Sequence, residues 1–352
     1  MTSALLEALP LPIVGAPMAG GPTTPALAAA VSEAGGLGFL GAGYKTVAAL
    51  REDIAATRAL TDRPIGVNAF ALLGAAPGDA EAIAAYAARL AGEAARAGVE
   101  LGEPRFEDDH LAAKMEALIA DPVAVVSFTF GLPPRDAVER LHAAGAEVWI
   151  TVTSPTEARA AAVLSPDALI VQGLEAGGHR GVFVDDESAS DLTLLAALQL
   201  IGAAVDLPLV ATGGLTTGAA IGAALVAGAA AAQVGSAYLR TPEAGTSEAQ
   251  RAATATNAPT ALTRAFTGRT ARGIVNRLLT EQSAAAPRAY PEIHHLTGPL
   301  RAHGRAAGDA DLINLWAGQV HALAPELPAG ELTRQLVANA RAAVAAARAR
   351  LG

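Results

Sequence analysis

The amino-acid sequence predicts an α/β fold: a (β/α)8 (TIM) barrel with a helical insertion after strand three and a C-terminal extension. Three observations support this prediction. Short apolar runs alternate with alanine-rich helical stretches, and this alternation is typical of parallel sheets. Eight such runs can be counted, which favours a closed barrel over a doubly wound sheet. The chain has 352 residues, enough for one large barrel.

Each predicted strand is a short, mainly apolar run, as expected for a parallel strand buried on both faces. Most are followed by a plausible helix, and Thr24-Pro25 and Ser154-Pro155 are good signals for a helix N-terminus. The predicted strands are Ile13–Pro17, Leu37–Leu40, Ile65–Phe70, Val123–Gly131, Val148–Thr153, Ala168–Gly173, Leu209–Gly214 and Ala232–Leu239. The predicted helices are Thr24–Ala34, Val47–Leu60, Pro134–Ala144, Pro155–Leu164, Leu192–Val205 and Gly218–Ala227.

Residues 71–121 interrupt this alternation after the third strand. Helical patterns cover roughly 79–97 and 107–120, and the second has a clear apolar face. We expect both helices to pack on the edge of the barrel. Because the segment follows a strand, the alternative is that it covers the barrel mouth.

The chain beyond about residue 260 forms a further extension. It contains turns rich in glycine and arginine, an irregular stretch from Pro287 to Pro299, and a closing helix from about Gly330. We therefore predict one domain over residues 1–352, with the insertion and the 260–352 extension packed on or near the barrel mouth.

Composition excludes several classes of function. Hydrophobic residues make up 52% of the chain and charged residues 17%, so a large buried core is expected. The sequence has no cysteine, which rules out disulfides, thiolate catalysis and cysteine-ligated metals. A net charge of −9 argues against a nucleic acid partner. No run suits a membrane span and no signal peptide is evident, so we expect a cytoplasmic monomer or homodimer.

The segment 168–181 carries the clearest signal of a functional site. Its apolar strand ends in Gln172 and continues into a loop that contains Gly177, Gly178 and His179. Glycines allow the backbone to approach a ligand closely, and histidine is readily set up for proton transfer near neutral pH. His179 is therefore the candidate catalytic residue. The alternative is that its role is only structural and that it stabilises the loop.

Small and uncharged polar residues collect at the carboxyl ends of the predicted strands, where barrels carry their chemistry. No pair of carboxylates suited to glycoside hydrolysis and no metal-binding cluster occurs among them. The loops after strands seven and eight contain Gly213, Gly214, Gly235 and Ser236, whose N–H groups could hold a phosphate. The alternative is that these glycines only form tight turns. This rim suits a flat, polar ligand that is uncharged or anionic.

Two other motifs favour structural roles. The segment 36–41 matches G-x-G-x-x-G, but its glycines begin and end the predicted second strand. A dinucleotide-binding motif instead follows a strand and opens a helix. His294 and His295 are adjacent, so their side chains diverge, and we expect surface or hydrogen-bonded roles for them.

A series of short motifs runs in order over nearly the whole chain. The motifs are Ala16–Gly21, Leu27–Gly38, Gly66–Phe70, Val126–Pro133, Gln172–Gly181, Thr212–Leu215, Gln233–Tyr238, Tyr290-Pro291 and Leu315–Gln319. Each motif alone is a weak signal, but their order and spacing together resemble those of the nitronate monooxygenase family, formerly called 2-nitropropane dioxygenases. The last two motifs resemble the bacterial class I members in particular.

The resemblance implies an FMN-dependent barrel that binds its flavin without covalent attachment. Pro17, Met18 and Ala19 would line the isoalloxazine ring with their backbone, and Asn68 would hydrogen-bond it. Gln172 would reach the ring or ribityl chain, and Gly177 and Gly178 would let the loop approach the flavin. The phosphate would be held by Gly213, Gly214, Gln233, Val234, Gly235 and Ser236.

The resemblance also implies a reaction. In the family, a nitronate such as propionate 3-nitronate gives an electron to the flavin, and radical steps with O2 yield a carbonyl compound and nitrite. His179 would bind the anionic nitronate if protonated or hydrogen-bonding, or abstract a proton from a nitroalkane if neutral. Thr129 stands where many class I members have a second histidine, and it cannot carry charge. Tyr290 would contribute a hydroxyl to the substrate pocket.

Two other functions share these features. An FMN- and NAD(P)H-dependent enoyl or quinone reductase would have the same barrel and the same Gly-Gly-His loop. A flavin-binding protein without turnover would have them as well. The motifs Tyr290-Pro291 and Leu315–Gln319 favour nitronate oxidation over pyridine-nucleotide-dependent reduction.

Overall fold

Eight parallel strands form the centre of the molecule in a computed structural model that describes residues 3–72 and 76–351. All eight predicted strands are present, and the longest prediction, Val123–Gly131, is shortened to Val125–Thr129. The barrel strands are β1 (Ile13–Gly15), β2 (Gly38–Gly41), β3 (Ile65–Phe70), β4 (Val125–Thr129), β5 (Glu147–Val152), β6 (Ala168–Gln172), β8 (Leu209–Thr212) and β9 (Ala231–Val234). A separate small sheet contains β7 (Gly178–His179), β10 (Thr260–Thr263) and β11 (Ala271–Ile274).

The barrel is closed between its first and second strands. The strand order is β1-β9-β8-β6-β5-β4-β3-β2, with every neighbouring pair parallel. A parallel bridge joins Val14 to Leu37, and the Gly15 N–H donates to the Leu37 carbonyl at 2.8 Å. Closure leaves the sheet without a free edge, and it confirms the predicted (β/α)8 barrel.

The helices begin where the sequence supplies capping groups. Thr24 Oγ1 accepts the Leu27 N–H at 3.0 Å, and Ser154 Oγ accepts the Glu157 N–H at 3.2 Å. The helices are α1 (Ala4–Ala8), α2 (Pro25–Glu33), α3 (Val47–Arg58), α4 (Ala80–Ala97), α5 (Leu111–Ala120), α6 (Arg135–Ala143), α7 (Pro155–Ala162), α8 (Leu194–Gly202), α9 (Gly218–Val226), α10 (Glu248–Thr254), α11 (Arg277–Gln282), α12 (Glu292–Ala307) and α13 (Ala329–Leu351). Short 3-10 helices cover Ser236–Arg240, Ala310–Leu312 and His321–Leu323.

Only part of the predicted 71–121 insertion is additional to the barrel. Helix α5 lies between α3 and α6, and its Leu111 and Leu118 join the main barrel core. It is therefore the ordinary connecting helix between β3 and β4. Helix α4 packs instead against α12, and the Tyr86 hydroxyl donates to the Ala265 carbonyl at 2.8 Å. A second hydrophobic core joins α4, α11 and α12.

The C-terminal helix also differs from the expectation that residues 260–352 pack on the barrel mouth. Helix α13 packs on the outside of the barrel against α9 and α2. A Cβ atom at Gly218 would collide with Asn339, so the close approach of α9 and α13 requires glycine there. α13 takes the place of the eighth barrel helix. The segment between β9 and α13, residues 235–328, is much longer than an ordinary barrel loop, and we call it the cover segment. It contributes sixteen residues to the cavity wall at the mouth.

The expectation of an irregular stretch from Pro287 to Pro299 is wrong in its second half, because α12 continues through Pro299. A proline inside a helix removes one backbone hydrogen bond. The bond that is missing at Pro299 is the one to the His295 carbonyl. A tertiary contact joins the same turn of α12 to the chain that follows α4, because the Leu296 carbonyl accepts the Gly102 N–H at 2.9 Å. Among the residues that the structure describes, no helix is long and apolar enough to cross a membrane.

We predict that Gly38→Ala destabilises the protein by about 1–3 kcal/mol or more. A Cβ atom at this position, in the strand that carries the G-x-G-x-x-G match, would collide with the Ala28 carbonyl of α2. Urea denaturation measures the effect. Gly92→Ala in α4 is the control: only the end of the Arg96 side chain lies near its Cβ, so it should stabilise by up to about 1 kcal/mol. Equal midpoints for the two variants would contradict the packing argument.

Candidate active site

A cavity of about 460 Å³ opens at the carboxyl ends of the barrel strands. The cover segment forms its opposite wall, with Thr267, His294, Arg301 and Trp316 among the lining residues. Fourteen of the sixteen residues singled out from the sequence line it. They are Pro17, Met18, Ala19, Asn68, Thr129, Gln172, Gly177, Gly178, His179, Gly213, Gly214, Gln233, Gly235 and Ser236.

Two of the sixteen lie elsewhere. The Val234 side chain is fully buried in the barrel core, so it cannot contact a ligand in the cavity. This follows from strand alternation, because its neighbours Gln233 and Gly235 face the cavity. Tyr290 lies behind the cavity wall, where its ring centroid is 5.6 Å from that of His179 and its hydroxyl donates to the Tyr44 hydroxyl at 3.0 Å.

His179 is held by a two-residue strand. β7 pairs antiparallel with β11, which places His179 opposite Ala271. Its ring meets Trp316 edge-on at a centroid distance of 5.6 Å, and Nε2 lies 2.9 Å from Thr267 Oγ1. Burial, reinforced by the Arg269 guanidinium, lowers the pKa of His179 to about 3. The imidazole is therefore neutral at physiological pH.

The Gln172 side chain binds the histidine loop rather than pointing freely at a ligand. Its Nε2 donates to the His179 carbonyl at 3.0 Å, and its Oε1 accepts the Gly181 N–H at 2.8 Å. Arg180 Nη1 adds a longer contact to the same oxygen at 3.3 Å. Although Gln172 lines the cavity, most of its hydrogen-bonding capacity fixes the loop that carries His179.

Asn68 and Thr129 form one hydrogen-bonded group. Asn68 Nδ2 donates to Thr129 Oγ1 at 3.0 Å and to Ser127 Oγ at 2.9 Å. Thr129 Oγ1 also lies 3.2 Å from Thr151 Oγ1. Asn68 Oδ1 accepts no hydrogen bond from the residues described, so this oxygen is the group that Asn68 can offer to a ligand.

The loops after β8 and β9 have unpaired backbone donors, as an anion-binding site would. Gly213 and Gly214 have φ values of +119° and +68°, which favour glycine. The N–H groups of Gly214 and Gly235 donate to no carbonyl in the described part of the chain. Gln233 Oε1 is buried and likewise lacks a hydrogen-bond partner there. Unpaired donors and a buried unpaired acceptor are expected where a polar ligand completes the hydrogen bonds.

Gly177 lines the cavity and also has a packing role. A Cβ atom there would lie 2.5 Å from the Ala317 carbonyl carbon and 2.5 Å from the Gly318 nitrogen. Glycine thus lets the histidine loop contact the cover segment. Ser236 Oγ strengthens the same junction, because it accepts the Gly318 N–H at 2.8 Å.

Two stacked rings near His179, those of Tyr44 and His294, were not predicted from the sequence. Tyr44 stacks on His294 with a centroid distance of 4.0 Å and an interplanar angle of 3°. The Tyr44 N–H donates to Asp109 Oδ1 at 2.9 Å, and the other Asp109 oxygen pairs with the buried Lys114 Nζ at 2.6 Å. The expectation of a hydrogen-bonded role holds for His294, since Arg301 contacts its Nδ1 at 3.2 Å.

The charge of the cavity wall is entirely positive. Arg301 and Arg305 line it, and no carboxylate does so among the described residues. Arg301 is only 5% exposed, and no described acidic side chain forms a salt bridge with it. Burial lowers the pKa of Arg301 to about 10, so its guanidinium remains charged at neutral pH. A desolvated cation without a counter-ion attracts an anionic ligand.

Two histidines of the cavity should make stability depend on pH. Burial lowers the pKa of His179 to about 3 and that of His294 to about 2, whereas an unfolded histidine titrates near 6.5. Below pH 6.5 the unfolded chain therefore binds more protons, and stability falls as pH falls toward 3. Each group contributes on the order of 1 kcal/mol per pH unit in this window.

Urea denaturation at pH 7, 6 and 5 measures this loss. We predict a smaller loss in His179→Gln/His294→Gln than in the unmodified protein. His303→Gln, outside the cavity, is the control and should keep the full loss. An identical pH dependence in all three proteins would show that these histidines are not the cause.

Comparisons with known proteins agree with this geometry. A family model described as nitronate monooxygenase matches residues 3–339. A nitronate monooxygenase of Pseudomonas aeruginosa is 40% identical over 344 residues, covering 94% of this chain and 96% of that protein. A probable nitronate monooxygenase of Bacillus subtilis is 35% identical, covering 92% and 94%.

Solved structures show the same architecture. The nitroalkane oxidase from Streptomyces ansochromogenes superposes with a TM-score of 0.94 at 49% identity, covering 98% of this chain and 100% of that one. FabK from Thermotoga maritima, with a TM-score of 0.76 and 24% identity, covers 99% of both chains and shows the shared fold alone. The length of the matches and the level of identity place this chain in the nitronate monooxygenase family of flavin-dependent oxidoreductases.

Proposed function

We propose that this protein catalyses the FMN-dependent oxidation of alkyl nitronates by O2 to carbonyl compounds and nitrite. The observation that carries the proposal is the pairing of a glycine-rich rim with a cavity wall that, among the described residues, is charged only at Arg301 and Arg305. A nitronate is a small anion, so its negative charge suits this wall.

The rim residues support FMN as the flavin. The Gly213-Gly214 and Gly235-Ser236 loops would hold the phosphate, and the Asn68 Oδ1 and Gln233 Oε1 acceptors would receive donors of the ring or ribityl chain. Bound FMN would supply the acceptor for the electron that leaves the substrate. We keep O2 as the co-substrate, a cytoplasmic location and a monomer or homodimer as proposals.

Two side chains of the protein would bind the substrate and remove its proton. Arg301 has an Nη1 group without a hydrogen-bond partner in the described chain, so it can bind the nitronate oxygens. A neutral His179 can remove a carbon-bound proton when a neutral nitroalkane binds instead. Thr129 cannot carry the charge of the histidine found in many relatives, and Arg301 offers a cation from the opposite wall.

We predict that a nitronate, and not a pyridine nucleotide, reduces the flavin. The FMN-loaded protein is mixed anaerobically with propionate 3-nitronate, and separately with NADH and NADPH, while the flavin absorbance is recorded. Prompt bleaching with the nitronate alone is the expected result. Reduction by NADH or NADPH without reduction by the nitronate would overturn the proposal in favour of a reductase.

We also predict that Arg301→Gln raises KM for a nitronate by at least about tenfold. Loss of one hydrogen bond between charged groups is worth about 1.5–3 kcal/mol. Steady-state nitrite release measures KM, and the flavin spectrum confirms that FMN is retained. Arg305→Gln, at the exposed rim, is the matched control and should have a smaller effect. An unchanged KM in Arg301→Gln would remove this residue from substrate binding.

A further inference from the structure

We infer that Thr267 is a positioning residue that fixes the tautomer of His179, with the proton on Nε2 and the basic lone pair on Nδ1. The inference rests on the proposed function and adds to it the identity of the basic atom. A neutral imidazole has one protonated and one basic nitrogen, so the partner of one nitrogen decides the chemistry of the other.

The hydrogen bonds of Thr267 carry the argument. Its hydroxyl has a single hydrogen and two neighbours: the Arg269 carbonyl at 3.3 Å and His179 Nε2 at 2.9 Å. The Arg269 carbonyl can only accept, whereas Nε2 can donate or accept, depending on the tautomer. If the hydroxyl donates to Arg269, its oxygen is free to accept a hydrogen bond from a protonated Nε2. This arrangement satisfies all three groups, whereas the other tautomer leaves the Arg269 carbonyl without this donor.

The backbone around Thr267 makes its placement rigid. Thr267 is 1% exposed, and its N–H donates to the Arg264 carbonyl at 3.2 Å. The Arg180 N–H donates to the Thr270 carbonyl at 2.8 Å, directly beside the pairing of His179 with Ala271. The histidine and the threonine therefore belong to one hydrogen-bonded unit, and neither can shift alone.

The surroundings of the His179 ring favour an unprotonated Nδ1, which has its lone pair available in the cavity. Nδ1 has no hydrogen bond to any residue in the described ranges, and the ring lines the cavity. The charged groups that act on His179 are Arg269, Arg301 and Asp185, two cations and one anion. Tyr290 and Trp316 contact the ring as neutral groups. A net positive environment favours a lone pair over an N–H group at the unpaired position.

The tautomer matters for one substrate class only. With a nitroalkane, the carbon–hydrogen bond breaks, the proton goes to Nδ1, and the electron pair stays on the substrate as its nitronate. The resulting imidazolium keeps its Nε2–H bond to Thr267. A preformed nitronate has no such proton to lose. The ratio of kcat/KM for nitroethane to kcat/KM for ethyl nitronate therefore isolates the step that Thr267 supports.

Thr267→Val and Thr267→Ser test the inference in the FMN-loaded enzyme. Valine keeps the shape without the hydroxyl, and we expect the ratio to fall at least tenfold; serine restores the hydroxyl and should recover it to within about threefold. Thr263→Val removes a hydroxyl from the same region and should keep the wild-type ratio. This hydroxyl bonds Ser283 at 2.6 Å and accepts the Ala265 N–H at 2.9 Å, and it makes no hydrogen bond to His179. An unchanged ratio in Thr267→Val would overturn the inference, while wild-type oxidation of ethyl nitronate would leave the proposed function standing.

Nitrogen-15 NMR of histidine-labelled protein gives a readout that is independent of turnover. Long-range proton–nitrogen correlations distinguish the two tautomers, and His179→Gln assigns the signal. We expect Nε2–H in the unmodified protein and in Thr267→Ser, and a mixture or the opposite tautomer in Thr267→Val. Finding Nδ1–H in the unmodified protein would refute the assignment.

Discussion

The short antiparallel pairing of β7 with β11 is the interaction on which the rest of the site depends. It joins a loop from the sixth barrel strand to a cover segment that begins after the last one. On the barrel side, the Gln172 side chain hydrogen-bonds the loop through both its amide nitrogen and its amide oxygen. On the side of the cover segment, Gly177 allows the loop to pack closely against Ala317. His179 lies between these contacts, so its position reflects the barrel and the cover segment together.

The cover segment also determines the charge of the cavity, because both arginines that line the cavity belong to it. The chain as a whole carries a charge of −9, yet the lining of its cavity includes arginines and no carboxylate in the described residues. The low dielectric of the cavity strengthens the field of those arginines. Burial is the main cause of the lowered pKa of His179, and the guanidinium groups of Arg269 and Arg301 lower it further.

The barrel and half of the site could be predicted from sequence because their signals are local. Apolar runs, helix-capping residues and glycines at strand ends each act within a few residues of their own position, and they identified His179 and the Gly213-Gly214 loop. Arg301, Thr267 and Tyr44 were missed because long-range packing brings them to the cavity. Lys114 illustrates the limit: it is buried against Asp109, and its helix carries no sequence signal of that contact.

The place of α13 in the ring of helices has a consequence for the cover segment. α13 packs against α2 and α9 on the outside of the barrel, and the cover segment begins directly after β9. The segment is therefore a loop anchored to the barrel at both ends. Because both anchors belong to the barrel itself, the stability of the barrel and the confinement of the site are coupled.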